Sequence, residues 1–181
     1  EKNGDTISTV ANTRFTDIPA HAWYSGYAKY LNNNGVTYGK SKTIFAPNDA
    51  ITRAEFTTMA VRFFDVYGDG DAEIMEQFSG FNDVSSGYWA AEYIKYAALH
   101  GWINGYGDGS FHAEREINRA EVVTIVNRLL GREADEDYIA DNLRKLNTFP
   151  DVSRKHWAYY AVMEAANAHT AVLGENESWS K

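Results

Sequence analysis

The sequence predicts an all-α fold built from three helix–loop–helix units packed around a shared axis. Three observations predict it. The stretch 81–130 repeats one lying 66 positions earlier without a gap: Phe15 matches Phe81, Asp17 matches Asp83, Trp23 matches Trp89, and Ile51-Thr-Arg-Ala-Glu55 matches Ile117-Asn-Arg-Ala-Glu121. Apolar residues recur at helical spacing, and no stretch sustains the two-residue alternation of a strand. A single unit of about 50 residues seldom encloses a sufficient core, so each copy needs its neighbours.

Residues 1–12 are polar and aperiodic and read as a tail. A first helix is expected over 23–33, with Trp23, Tyr27, Tyr30 and Leu31 at helical spacing on one side and Gly35 as its stop. Loop 38–48 leads to a second helix over 53–67, whose expected buried stripe is Phe56, Met59, Ala60, Phe63 and Phe64. A short linking helix is expected in 69–78. The second copy repeats the plan with helices over 88–100 and 119–130, the latter striped by Val122, Ile125, Val126, Leu129 and Leu130. A further linking helix over 135–146 has acids at its head and Arg144 and Lys145 at its foot, as the helix dipole favours. A third copy opens 68 positions after the second with Phe149, Asp151 and Trp157, and its helix runs over 155–168. There the copy degrades: no Arg-Ala-Glu follows, and Trp179 stands where Phe111 stands in the second. The division is therefore one domain over 1–181. Repeat one is 13–68, repeat two 79–131, a linking helix 132–147, and a degenerate repeat three 148–181.

Composition narrows the function. Hydrophobic residues make up 44% of the chain, which is a globular rather than a disordered proportion. The net charge of −8 argues against a nucleic-acid partner, because phosphate binding needs a basic surface. It also means that an anionic partner must be recognised by a local site and not by the overall field. With no Cys, thiolate metal sites and cysteine nucleophiles are excluded. No apolar run reaches the length of a membrane span. The chain opens at Glu1 without Met, as a trimmed start would.

The residues that carry chemistry recur between copies. Thr52 with Glu55, and Asn118 with Glu121, have the spacing of a capping box and read as structural caps. Capping does not explain Arg53 or Arg119, which oppose the dipole in the first turn. A guanidinium beside backbone amides at a helix start makes a carboxylate receptor. An ion pair with Asp17 or Asp83 is the structural alternative. Trp23, Trp89 and Trp157 read either as core or as platforms for sugar stacking. Asp17, Asp83 and Asp151 read either as turn caps or as acceptors for sugar hydroxyls.

Other chemistries fit less well. The Gly-rich run 105–109 lacks the Lys-Ser/Thr of a phosphate loop. As a calcium loop from Asn104 it puts Tyr106 and Arg115 where ligands belong. A loop from Asp65 places Asp69, Gly70 and Glu76 correctly but has Tyr67 at a ligand position, so no metal or other cofactor is expected. The five histidines share no metal spacing between copies, and no nucleophile elbow occurs. A catalytic site is usually unique, whereas these residues recur, which favours binding over catalysis.

The set Phe-x-Asp-Val, Tyr/His-Trp-Ala, Gly-x-Ile-x-Gly-Tyr-x-Asp-Gly-x-Phe and Ile-Thr-Arg-Ala-Glu resembles the S-layer homology domain over nearly the whole chain after residue 14. The resemblance implies a pseudo-threefold, spindle-like bundle that anchors a secreted protein non-covalently to the bacterial cell surface. Its implied partner is a secondary cell-wall polysaccharide, with a pyruvylated N-acetylmannosamine terminus, or a peptidoglycan-linked glycan. No membrane insertion is implied, and self-association is left open. Carried over by position, the carbohydrate-binding residues are Asp17, Trp23, Arg53, Asp83, Trp89, Gly105, Tyr106, Arg119, Asp151 and Trp157. The first copy departs at Tyr38-Gly-Lys-Ser-Lys and the third lacks the Arg motif, so at most two competent grooves are expected. The alternatives are a fragment of a glycan-processing enzyme and a calcium-dependent interaction module.

Overall fold

The computed structural model describes residues 14–67, 79–172 and 178–180. The expected tail and the linking helix of 69–78 lie outside the described residues, as does most of the loop from Asp65. Among the described residues six α-helices carry the fold: α1 (Ser25–Asn33), α2 (Arg53–Tyr67), α3 (Ala91–Leu99), α4 (Arg119–Leu129), α5 (Glu136–Asn142) and α6 (Tyr159–Ala166). A 3-10 turn, Leu143–Lys145, finishes α5. Strands β1 (Thr170–Val172) and β2 (Ser178–Ser180) pair antiparallel, with Ala171 opposite Trp179. Three residues per strand are too few to show alternation, which is why the sequence does not announce them.

The first helix of each copy starts later than its apolar pattern. Two successive turns precede it: Ala22 N–H donates to Pro19 O and Ser25 N–H to Ala22 O, and the same pair recurs at Tyr88 and Ala91 and at His156 and Tyr159. Each turn pair lifts its tryptophan out of the helix. Trp23, Trp89 and Trp157 are accordingly 84%, 55% and 65% exposed, so the core reading of these rings does not hold.

The buried stripes also differ from those expected. In α2 the sealed residues are Arg53, Ala54, Thr57, Thr58, Ala60 and Val61; of the expected stripe only Ala60 is sealed, while Phe56, Met59, Phe63 and Phe64 sit half-buried at the edge. Small side chains face inward because α2 packs closely on α3, through Ala90, Ile94 and Ala97. In α4, Ile125 and Asn127 are buried, whereas Val126 and Leu130 are exposed. Asn127 is satisfied by donating to Ala161 O of α6 at 2.9 Å. On α1 the sealed positions are Ser25 and Ala28, and Tyr27 is 54% exposed.

The main core runs across the copies. Ala54, Ala60 and Val61 of α2 close against α3, Phe111 and Ile125. A second cluster joins Ile139 of α5, Tyr159 and Met163 of α6, and Trp179 of β2. Trp179 is thus a core residue, as Phe111 is, but its amide donates to Asp135 at 3.0 Å and not to Asp151. Asp135 also caps α5 by accepting from Tyr138 N–H.

Candidate functional site

Two loops of the same shape precede α2 and α4. Asp17 accepts from the amides of Phe45 and Ala46 at 2.9 and 2.7 Å, and Asp83 from those of Phe111 and His112, both at 2.7 Å. Backbone hydrogen bonding from Phe45 leads in holding the Asp17 carboxyl below its ordinary value. At Asp83, burial pushes upward, but the amides of Phe111 and His112 outweigh it. These bonds hold Ala46 and His112 at φ 60° and 55°, a left-handed conformation unusual for residues with a Cβ. Both aspartates therefore do the loop-fixing work of turn caps.

Gly39 and Gly105 are likewise equivalent. A Cβ on Gly105 would run into the Phe81 ring and Ser110 O, and one on Gly39 into the Phe15 ring and Ile44 O. Gly105 is thus required by close packing. The first copy's divergent Tyr38-Gly-Lys-Ser-Lys keeps the same backbone, with Lys40 N–H donating to Ile44 O as Tyr106 N–H does to Ser110 O.

Each loop delivers the chain to a capping box. Thr52 Oγ1 accepts from Glu55 N–H while Glu55 Oε2 accepts from Thr52 N–H; Asn118 and Glu121 do the same. The free amides expected at the start of α2 are not there. Arg53 N–H donates to Arg115 O and Ala54 N–H to Ala113 O, stitching the start of α2 onto the second copy's loop.

That stitch drives Arg53 into the second copy. Arg53 is 5% exposed, and its guanidinium donates to Phe111 O at 2.9 Å, Asn104 O at 3.2 Å and Glu121 Oε1 at 2.7 Å. It also lies over the rings of Phe111 and Tyr106, at 4.5 and 5.2 Å. Neither Asp17 nor Asp83 is its partner. Arg115 reaches the same Glu121 oxygen, as does the Tyr106 hydroxyl at 3.2 Å. Burial pushes the Glu121 carboxyl up, yet the Asn118 amide and the Arg53 and Arg115 charges bring it below its ordinary value.

Beside this network opens a cleft of about 680 Å³. Its wall includes Arg53, Gly105, Tyr106, His112, Arg115, Glu121, Arg128 and Trp157. Three guanidinium groups thus face one carboxylate in a chain that is −8 overall. Trp157 reaches it from the segment before α6, so three stretches distant in sequence build one site.

A second cleft of about 330 Å³ is formed by the equivalent residues one copy earlier, including Tyr38, Gly39, Lys40, Asp49, Glu55, Thr58, Arg62 and Trp89. Lys40 occupies the place of Tyr106, and its ammonium binds Glu55 Oε1 at 2.5 Å.

Residues 14–57 and 80–123 each match the model of the S-layer homology domain. Both segments belong to that family. Cell surface glycoprotein 1 of Acetivibrio thermocellus is 31% identical over 171 residues, covering 90% of this chain and 7% of its own length. The cellulosome-anchoring protein of the same organism is 29% identical over 164 residues, 90% of this chain and 34% of its own. An amylopullulanase of Thermoanaerobacterium thermosulfurigenes is 31% identical over 153 residues, 84% of this chain and 8% of its own. The chain therefore spans well under half the length of each of these relatives.

Among the residues singled out from the S-layer homology motifs, Arg53, Gly105, Tyr106 and Trp157 meet in the first cleft, and Trp89 lines the second. Arg119 is exposed at the head of α4 and lines neither cleft; Trp23 and Asp151 are also exposed and outside both. Sequence reasoning missed Arg115 and Arg128. Arg128 had a signal, because it recurs as Arg62 in the first copy. Arg115 had none, since its counterpart is Asp49. Among the described residues no three His, Asp or Glu side chains are placed to hold a metal ion, and no helix is long and apolar enough to cross a membrane.

Proposed function

We propose that this chain anchors its protein to the bacterial cell surface by holding an acidic sugar of a cell-wall polysaccharide in the cleft between Tyr106 and Trp157. The protein is secreted, and its S-layer homology units are arranged with pseudo-threefold symmetry, the third being a degenerate copy over 148–181.

One observation carries the reading: Arg53, Arg115 and Arg128 surround a cleft that holds a single carboxylate, next to an exposed indole. Arg53 and Arg115 are already committed to Glu121, which locks their geometry in advance. Arg128, exposed in the last turn of α4 and without an ion pair among the described residues, can take the carboxylate of a pyruvyl ketal in bidentate fashion. Trp157 offers an apolar face to the sugar ring. The names of the relatives support anchoring. One is called an anchoring protein and another a cell surface glycoprotein, while the shared segment is a small part of an amylopullulanase. A module that recurs beside unrelated activities is best read as an attachment device rather than a catalyst.

Calorimetric titration with purified secondary cell-wall polysaccharide tests this. Binding is expected to be markedly weaker after chemical removal of pyruvate than before it. Arg128→Ala should weaken binding about tenfold or more, the range for a lost charged hydrogen bond, with the melting temperature unchanged. Equal binding by the depyruvylated polymer would refute the acidic-sugar assignment.

A further inference from the structure

The two clefts share a backbone but not a charge. In the first, three guanidinium groups outnumber the Glu121 carboxylate, leaving two positive charges in excess. In the second, Lys40 and Arg62 face Asp49 and Glu55, and the charges cancel. Both of its cations are also occupied. Lys40 is bound to Glu55, and Arg62 lies between the rings of Tyr38 and Tyr93, at 4.8 and 5.1 Å. The difference has an evident origin. Arg53 supplies the first cleft from a neighbouring copy, and Lys40 from the second cleft's own loop satisfies Glu55 instead.

What remains in the second cleft suits hydroxyl groups. Trp89 is 55% exposed on its rim. Charges of both signs lie beside it, and a sugar hydroxyl both donates and accepts. Thr58 lines the same cleft and is 2% exposed, and its Oγ1 has no hydrogen-bond partner among the described residues. Its counterpart in the first cleft, Thr124, is satisfied by Ala120 O at 2.8 Å. A buried hydroxyl left unpaired is costly, so the two clefts differ at this position as well as in charge.

We infer that the second cleft, between Lys40 and Trp89, is a saccharide site for an uncharged sugar unit, so that the two clefts hold chemically different residues of a glycan. The inference deepens the proposed function and rests on its reading of the first cleft as the acidic-sugar site. An acidic sugar gains no net attraction here, because it meets Asp49 and must displace Glu55 from Lys40. A neutral ring stacks on Trp89 and bonds through its hydroxyls without breaking that pair.

The test uses the whole chain and the indole N–H signals of its five tryptophans, assigned by substitution. The probes are the methyl glycoside of N-acetylmannosamine and the same glycoside carrying a 4,6-linked pyruvyl ketal. The neutral glycoside is expected to shift Trp89 more than Trp157, and the pyruvylated one to shift Trp157 and leave Trp89 in place. If the neutral glycoside leaves Trp89 unmoved, or the pyruvylated one moves Trp89 as far as Trp157, the inference is overturned while the first cleft keeps its assignment. A Trp89 response to the neutral sugar, with no Trp157 response to either, upholds the second cleft and removes the first. Asp49→Arg copies Arg115 into the second cleft on an exposed position and gives it two excess positive charges. That variant should make Trp89 respond to the pyruvylated glycoside, and an unchanged spectrum would refute charge as the discriminator.

Discussion

Arg53 and Arg119 occupy the same motif position, yet one is sealed and the other stands in solvent. Arg53 completes three hydrogen bonds in the second copy's loop and neutralises a nearly buried carboxylate. Removing one partner of such a pair strands the other. Arg53→Ala should therefore cost about 3 kcal/mol or somewhat less, since Arg115 still serves Glu121. Arg119→Ala should stay within about 0.5 kcal/mol. Urea denaturation of the two variants measures the contrast, and equal losses would mean that Arg53 is not the structural arginine. Glu121 also has a pH consequence. Its folded carboxyl lies below its ordinary value, so its contribution is fully present above the unfolded pKa, and it fades as pH falls through the folded value. Asp17 and Asp83 act in the same direction. The melting temperature should thus fall with pH below about 4, and Glu121→Gln should lower it at neutral pH and flatten the acid slope. A wild-type acid slope in that variant would contradict the assignment.

At the scale of elements, the loop before each second helix is the unit that is conserved in space. Asp17 with Phe45 and Ala46, and Asp83 with Phe111 and His112, hold identical turns although the intervening sequences differ. Gly105 lets the Phe81 ring lie directly on the backbone that presents Tyr106. Gly105→Ala must push that ring or Ser110 aside, an overpacking cost of about 1–3 kcal/mol. Thermal unfolding should show the loss, and binding through Tyr106 and Arg115 should weaken with it. A variant as stable as the parent would mean that the loop yields at little cost. The six described helices were legible, and so were the starts of α2 and α4, but those of α1, α3 and α6 were not. The double turns ahead of α1, α3 and α6 are apolar in part and look helical in sequence, and they put Trp23, Trp89 and Trp157 outside the core.

Across the whole molecule, the main core joins apolar residues of the first two copies. Ala54, Ala60 and Val61 of α2 find their partners on α3 and in the second copy's loop. A fragment containing residues 14–67 alone exposes that face. It is expected to lack fixed tertiary signals in near-ultraviolet circular dichroism, whereas the full chain should melt in one cooperative transition. Independent folding of the fragment would count against the shared core. The clefts follow from the same arrangement, since each is closed by a tryptophan from the next copy.

By itself the sequence determined the helical class, the repeat, the two capping boxes and the family, because these depend on local spacing and on residues read against their own neighbours. It also contained Arg128, through its recurrence as Arg62. Only the tertiary structure decided which way each stripe faces, that Asp17 and Asp83 hold loops, and that Arg53 serves a cleft while Arg119 does not. Those outcomes depend on which loop lies opposite each side chain. Arg53 meets the carbonyls of Asn104 and Phe111 some fifty positions away, and no spacing within one copy encodes that encounter.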